Sequence, residues 1–199
     1  MTLEKQIIIT IGREYGSGGH EIGRKLAERL HMGFYDRNIL DEIAYGKNVD
    51  AEKLAKYDEV PKTMFLSKTV RGFSNSPEEN IAQMQFEYIR EKAASGESFV
   101  IVGRCADYIL KDSEALLSVF ITGDYESKLE RVMERRNFSA KQAAVTIERH
   151  DKNRKAYHNH YCTTKWGDSR NYDMCINSNI LGIDGTVDLL ENFVKNWKR

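Results

Sequence analysis

One run constrains this chain more than any other: ITIGREYGSGGHEIG, from Ile9 to Gly23. The β-branched stretch Ile7 to Ile11 reads as a buried strand. It stops at Gly12, and Gly16, Ser17, Gly18 and Gly19 follow at once. Ile22, Leu26 and Leu30 then recur every four residues, with Arg24, Lys25, Glu28 and Arg29 between them, which is the pattern of an amphipathic helix. Strand, glycine-rich turn and helix form the layout of a phosphate-binding loop. Glycines let backbone N–H groups converge on an anion, and the helix N-terminus adds positive potential. A plain strand-to-helix turn needs fewer glycines. One part is missing. The pattern G-x-x-x-x-G-K-[ST] puts a lysine after the last loop glycine, and Gly19 stands there.

Arg13 and His20 are the nearest replacements for the lost charge, and Ser17 supplies a hydroxyl. Glu21 sits where a hydroxyl ligand for magnesium is often found, so Ser17 and Glu21 are the expected Mg2+ ligands. Lysine is the residue that the loop pattern wants, so Gly19→Lys is expected to keep or raise nucleotide affinity.

Strands alternate with helices along the rest of the chain. Gly33 to Tyr35 reads as a short strand and Arg37 to Tyr45 as a helix, with another short helix at 50–57. Residues 60–76 lack a period and are expected to form a mobile excursion. Ser76-Pro77-Glu78-Glu79 is a helix start with a capping box, and that helix is expected to reach about Ser95. Ser98 to Gly103 and Leu117 to Ile121 read as buried strands, and Tyr172 to Asn177 as a final one. Asp124, Ser139 (with Gln142) and Asp184 are the expected caps of the later helices. Such alternation implies right-handed crossovers, a mostly parallel sheet, and ligands at the carboxyl ends of its strands. Three of those ends carry Gly12-Arg13, Asp36-Arg37 and Gly103-Arg104.

Arg104 is either a surface charge or a fork aimed at phosphate or carboxylate. Arg131 and Arg135 share one helical face. They either pair with Glu130 and Glu134 in solvent or close over a transferring phosphoryl group. His158, His160 and Cys162 alternate as strand metal ligands do, but no fourth ligand has a usual spacing, and a polar loop is the expectation. Tyr157, Tyr161, Trp166 and Tyr172 either pack that region down or stack on a base.

At 199 residues the chain is expected to be one domain, with an acceptor-side excursion at 60–95 and a lid at 124–165. Thirty basic and thirty acidic residues balance, which argues against a nucleic-acid polymer or a membrane surface as partner. Three cysteines without a pairing pattern, no signal-peptide shape and no long apolar run lead to the expectation of a reducing cytoplasm and of a monomer or homodimer.

The chain resembles the nucleoside monophosphate kinases, most closely the cytidylate kinase-like branch. ITIGREYGSGGHEIGRKLAERL is similar to the opening of that branch, and FYDRNIL to its second strand and the following aspartate. FVIVGRCADYIL resembles the strand and Gly-Arg-Asp segment that meets the acceptor, and VFITGDYESKLERVMERR the next strand and lid-leading helix. Asp151 to Arg154 is similar to the Asp-x-x-Arg pair on the acceptor's ribose and phosphate, and WGDSRNYDMCINSNILGIDGTVDLL to the C-terminal part.

The resemblance implies a three-layer α/β/α P-loop fold with a mostly parallel five-stranded sheet. It implies ATP and Mg2+ as cofactors and a nucleotide or small phosphorylated metabolite as partner. Gly16, Ser17, Gly18, Gly19, His20 and Glu21 would hold the donor. Asp36, Arg37, Arg104, Asp151 and Arg154 would hold the acceptor, nominally CMP or dCMP. Arg13, Arg131 and Arg135 would act on the transfer. Cys105 stands where the branch has the aspartate that reads cytosine, and Arg37 where it has a small hydroxyl residue. Two alternatives stay open: a nucleotide-binding module without turnover, and a kinase for another small metabolite.

Overall fold

The computed structural model describes residues 5–36, 38–47, 69–70, 73–74 and 76–197. The expected helix at 50–57, Arg37 and most of the excursion lie outside them. Within them the order is β1 (Ile8–Arg13), α1 (Gly19–Leu30), β2 (Gly33–Tyr35), α2 (Ile39–Lys47), β3 (Thr69–Val70), β4 (Phe73–Ser74), α3 (Pro77–Ala94), β5 (Phe99–Val102), α4 (Ala106–Ile109), β6 (Leu116–Thr122), α5 (Tyr125–Arg136), α6 (Ala140–Tyr161), β7 (Met174–Asn177) and α7 (Ser178–Asn196).

Five strands form one sheet in the order β2-β5-β1-β6-β7, every pair parallel. Residues 69–70 and 73–74, expected to lack regular structure, form a short antiparallel pair instead. Successive side chains of a strand point to opposite faces, and the core divides accordingly. Ile9 and Ile11 of β1 and Val100 and Val102 of β5 pack with Ile22 and Leu26 of α1 and with Val187, Leu190 and Val194 of α7. Ile8, Phe99 and Ile101 face the other way, onto Ile39 and Ile43 of α2 and Ile81 and Ile89 of α3. These are the two helical layers of an α/β/α fold around a central sheet. Among the described residues no helix is long and apolar enough to cross a membrane.

Three local expectations are corrected. α6 runs unbroken to Tyr161, so His158 and His160 lie in its last turn and not in a polar loop. α7 begins at Ser178, capped by the Asn177 side chain on the Asn179 N–H at 3.0 Å; Asp184 lies beyond a kink at Gly182 and pairs with Lys25 at 2.7 Å. Ser76 does precede α3, but its hydroxyl donates to the Glu78 carboxylate at 2.5 Å in place of a backbone cap. The Ser139–Gln142 capping box forms as expected.

Candidate active site

β1 is the central strand, and the chain crosses to opposite sides of it through β5 and β6. Clefts in parallel sheets open at such a reversal, beyond the carboxyl ends of the strands. Here a cleft of about 500 Å3 opens there, within the range of small-molecule sites. Its floor is the glycine loop. Gly18 turns at φ 83°, and a Cβ there would lie 2.2 Å from Ile183 Cδ1 of α7, so only glycine fits. Gly19 has ordinary backbone, but a Cβ there would meet Arg13 Cβ at 2.6 Å. The stem of Arg13 fills the space that a lysine at position 19 would need, which weighs against the expectation that Gly19→Lys keeps or raises nucleotide affinity.

Six arginines line the cleft: Arg13, Arg104, Arg131, Arg135, Arg136 and Arg154, against two carboxylates, Glu14 and Asp36. The arginines come from β1, the turn after β5, α5 and α6, so the sheet edge and the helical pair share the work. Arg104 is nearly buried, at 2 % exposure, and its charge reaches Asp36. His20 lies 2.6 Å from Asp36 and holds that carboxyl well below the usual range, at about 2.

α5 and α6 close over the loop. Arg131 donates to the Gly16 carbonyl, and Arg135 pairs with Glu21. Burial, then the neighbouring Arg135, pushes the Arg131 guanidinium down; an incoming anion would relieve both. Tyr15 stacks on His150 with ring centres 4.3 Å apart, and Arg154 lies 5.4 Å over the same ring. The Tyr15 N–H donates to Asp151 Oδ1 at 2.6 Å. Tyr15 and His150, with Glu14, Arg136 and Asn153 of the cleft lining, are residues that sequence reasoning missed. For Tyr15 and His150 the signal was an aromatic inside the loop and a histidine next to Asp151.

Arg13, Gly16, Gly18, Gly19, His20, Asp36, Arg104, Arg131, Arg135 and Arg154 meet at the cleft. Asp151 does not line it. Burial pushes its carboxyl up, against the Tyr15 N–H that it accepts, and it anchors the loop where an acceptor ribose was expected. Ser17 is fully buried, its hydroxyl donating to the Glu14 carbonyl at 2.8 Å. Glu21 is held by Arg135 and, at 3.5 Å, by Lys25. The two expected magnesium ligands are thus committed elsewhere. Among the described residues no three His, Cys, Asp or Glu side chains cluster to hold a metal ion. The donor set fits phosphate groups and does not fit a preformed magnesium site. Phe120, with Trp166 at 5.2 Å and Tyr172 at 5.0 Å, shows that those aromatics pack the region down.

A sequence model of the cytidylate kinase-like family matches residues 8–180. The crystal structure of an uncharacterized protein from Eubacterium ventriosum ATCC 27560 is 40% identical, covers 96% of this chain and 100% of its own, and superposes with a TM-score of 0.77. Shikimate kinase from Bacteroides thetaiotaomicron is 13% identical over 95% of this chain and 98% of its own, with a TM-score of 0.56. Shikimate kinase from Acinetobacter baumannii, in complex with shikimate, is 16% identical over 98% and 97%, with a TM-score of 0.53. At such identities the two share the fold. No match was found among curated proteins. The matched span contains the glycine loop, the five-stranded sheet and every arginine of the cleft, and on that span the chain belongs to the cytidylate kinase-like family.

Proposed function

We propose that this protein is an ATP-dependent phosphotransferase whose acceptor carries its own phosphate, nominally CMP or dCMP. The observation that carries the reading is the cleft itself: a glycine loop at a helix N-terminus, ringed by six arginines. Such a site stabilises charge spread over a transferring phosphoryl group, and transfer in line between two bound anions needs positioning more than covalent chemistry. The amides from Gly16 to Gly19 hold the donor phosphates, and Arg13 supplies the cation that the loop lacks. Arg104 and Arg154 hold the acceptor phosphate. Arg131 and Arg135 exchange Gly16 and Glu21 for the phosphoryl oxygens as α5 and α6 close. Magnesium would arrive on the nucleotide's phosphates, without Ser17 or Glu21 as arranged here.

The cleft carboxylates favour a phosphate oxygen as the attacking group. Asp36, ionised down to about 2, is too weak a base to take a hydroxyl proton near neutrality. Glu14 is paired with Lys128 at 2.8 Å. A phosphate oxygen arrives already deprotonated. Asp36 then orients the acceptor. Cys105 is buried outside the cleft, so it offers no strong acceptor to the cytosine amine. A lost charge-assisted hydrogen bond is worth roughly 1.5–3 kcal/mol, and CMP should keep less than about a tenfold advantage over UMP. ADP release measured across nucleoside monophosphates and phosphate-free hydroxyl acceptors tests the reading. Turnover confined to phosphate-free acceptors would overturn it. The internal commitments of Ser17 and Glu21 favour the second reading, a binding module without turnover, and nucleotide binding with no ADP release for any acceptor would establish that one.

A further inference from the structure

Beneath the acceptor end of the cleft lies a cluster that the transfer does not use. Asp107 Oδ2 stands 3.1 Å from His158 Nε2, with the two side chains 12% and 6% exposed. Cys162 ends α6 one turn after His158, its N–H donating to the His158 carbonyl at 2.8 Å. Both thiols of the region are buried: Cys105 and Cys162 pack in one cluster with Tyr157 and Phe86. A hydrogen bond from Cys105 is the foremost reason that the Cys162 thiol sits low, at about 7; burial opposes it and His158 adds to it. Burial would push the His158 imidazole down, but Asp107 and Cys162 outweigh it and keep the ring protonated. Asp107 therefore meets the His158 ring, and Cys105 and Cys162 share one buried cluster where α6 ends. Thiolates, not thiols, react with peroxides.

Two further observations bear on access and consequence. A chamber of about 20 Å3, room for one water-sized molecule, touches Cys105, Asp107 and His158 and shares Arg13, Arg104 and Arg154 with the main cleft. The chamber and the cleft thus share three arginines beside Cys105 and His158. Gly103, Arg104 and Cys105 all take left-handed backbone, φ 78°, 61° and 55°. Such a run in non-glycine residues stores strain of order 1 kcal/mol or more per residue. It is the turn that places Arg104.

We propose that Cys162 and Cys105 form a peroxide-sensitive dithiol switch, Cys162 as the attacking thiolate and Cys105 as its resolving partner, whose disulfide displaces Arg104 from the cleft. The Cys162 thiolate attacks one oxygen of hydrogen peroxide, the O–O bond breaks, and the leaving hydroxide takes the His158 proton as water. The Cys105 sulfur then attacks the Cys162 sulfenic acid, and the S–O bond breaks. The departing hydroxide takes the Cys105 proton as a second water. Two thiols lose two electrons to one peroxide. The sulfurs must close to about 2.05 Å, and Cys105 carries the turn that holds Arg104 with it. The effect on turnover rests on the phosphotransferase reading; the oxidation does not.

The test treats the reduced full chain with hydrogen peroxide at pH 7 and maps its peptides without reductant. The expected result is a Cys105–Cys162 linked peptide, lighter by two hydrogens and reversed by dithiothreitol, with the exposed Cys175 still alkylatable. Oxidation at Cys175 with Cys105 and Cys162 both left as thiols would overturn the proposal. With Cys105→Ser, dimedone should trap a sulfenic acid on Cys162; its absence there, in a folded variant, also counts against the proposal. ADP and CMP binding are measured in both redox forms. Normal ADP binding with at least a tenfold loss for CMP on oxidation supports the switch. A disulfide that forms in a protein binding neither nucleotide removes the phosphotransferase reading and leaves the thiol pair standing. A disulfide that leaves both affinities unchanged overturns the switch.

Discussion

At position 19 a Cβ would come within 2.6 Å of Arg13 Cβ, so the end of β1 and the start of α1 compete for one volume. Either a lysine stands on the helix or an arginine on the strand, and this chain has the second. Gly19→Lys should therefore overpack the loop, at a cost of about 1–3 kcal/mol, and should weaken ADP binding. Urea unfolding and calorimetric titration check both; unchanged affinity would show that the Arg13 stem yields freely. Arg13→Ala should lose roughly ten- to a hundredfold in ADP affinity, the scale of one charge-assisted hydrogen bond, and adding Gly19→Lys to it should recover part of the loss. Asp36 supplies a pH signature. Its carboxyl is depressed to about 2, first by the His20 hydrogen bond, so its stabilisation is complete above the unfolded carboxyl range near 4 and is lost as pH falls toward 2. The stability difference between the wild type and Asp36→Asn, about 1–2 kcal/mol at pH 5, should fall to a few tenths of a kcal/mol by about pH 2 in urea titrations.

Among the elements, α5 and α6 decide how the loop is held. They pack through Val132, Ala143 and Ile147, with Tyr15 of the loop against them. The capping box at Ser139 starts α6 by satisfying the Gln142 N–H. Ser139→Ala should cost about 0.5–2 kcal/mol without changing ADP affinity, because Ser139 does not line the cleft; a changed affinity at intact stability would contradict that placement. Arg131→Ala acts differently. Its guanidinium already has a partner in the Gly16 carbonyl, so its gain on closing is confined to the charged transition state. Removal should lower kcat by on the order of a hundredfold and change KM by little, as steady-state ADP release would show.

For the whole molecule, two cores on opposite faces of one sheet fix where the cleft opens. Leu190 of α7 is fully buried against β1 and α1, and Leu190→Ala should destabilise by about 2–5 kcal/mol. ADP at a hundredfold its dissociation constant should restore about 2.7 kcal/mol in that variant and in the wild type alike, because the core and the cleft are stabilised independently. Thermal melts at a series of ADP concentrations check this, and the shift should shrink with added salt as the arginine field is screened.

The strand-glycine-helix run, the alternation of elements and the arginines at strand ends were legible in the residues, because hydrophobic period and backbone freedom act locally. β2 begins and ends as read, and α5 and α3 start where read, although neither Asp124 nor Ser76 makes a side-chain cap hydrogen bond. Other features depended on groups far apart in the chain. Asp151 is 136 residues from Tyr15, and only their meeting shows that its carboxylate anchors the loop. Ser17 is spent on a carbonyl three residues away once α7 covers it, with Ser178 donating to its own carbonyl at 2.6 Å. His158, read as part of a loop, is helical because packing against Asp107 and the Cys105 cluster extends α6 past the point where its polar sequence signals an end. Local sequence determined the cradle and the sheet that presents it. Which charges reach the cradle, and which are spent on holding it, was decided by tertiary packing, since one side chain cannot both fill a protein contact and meet a ligand.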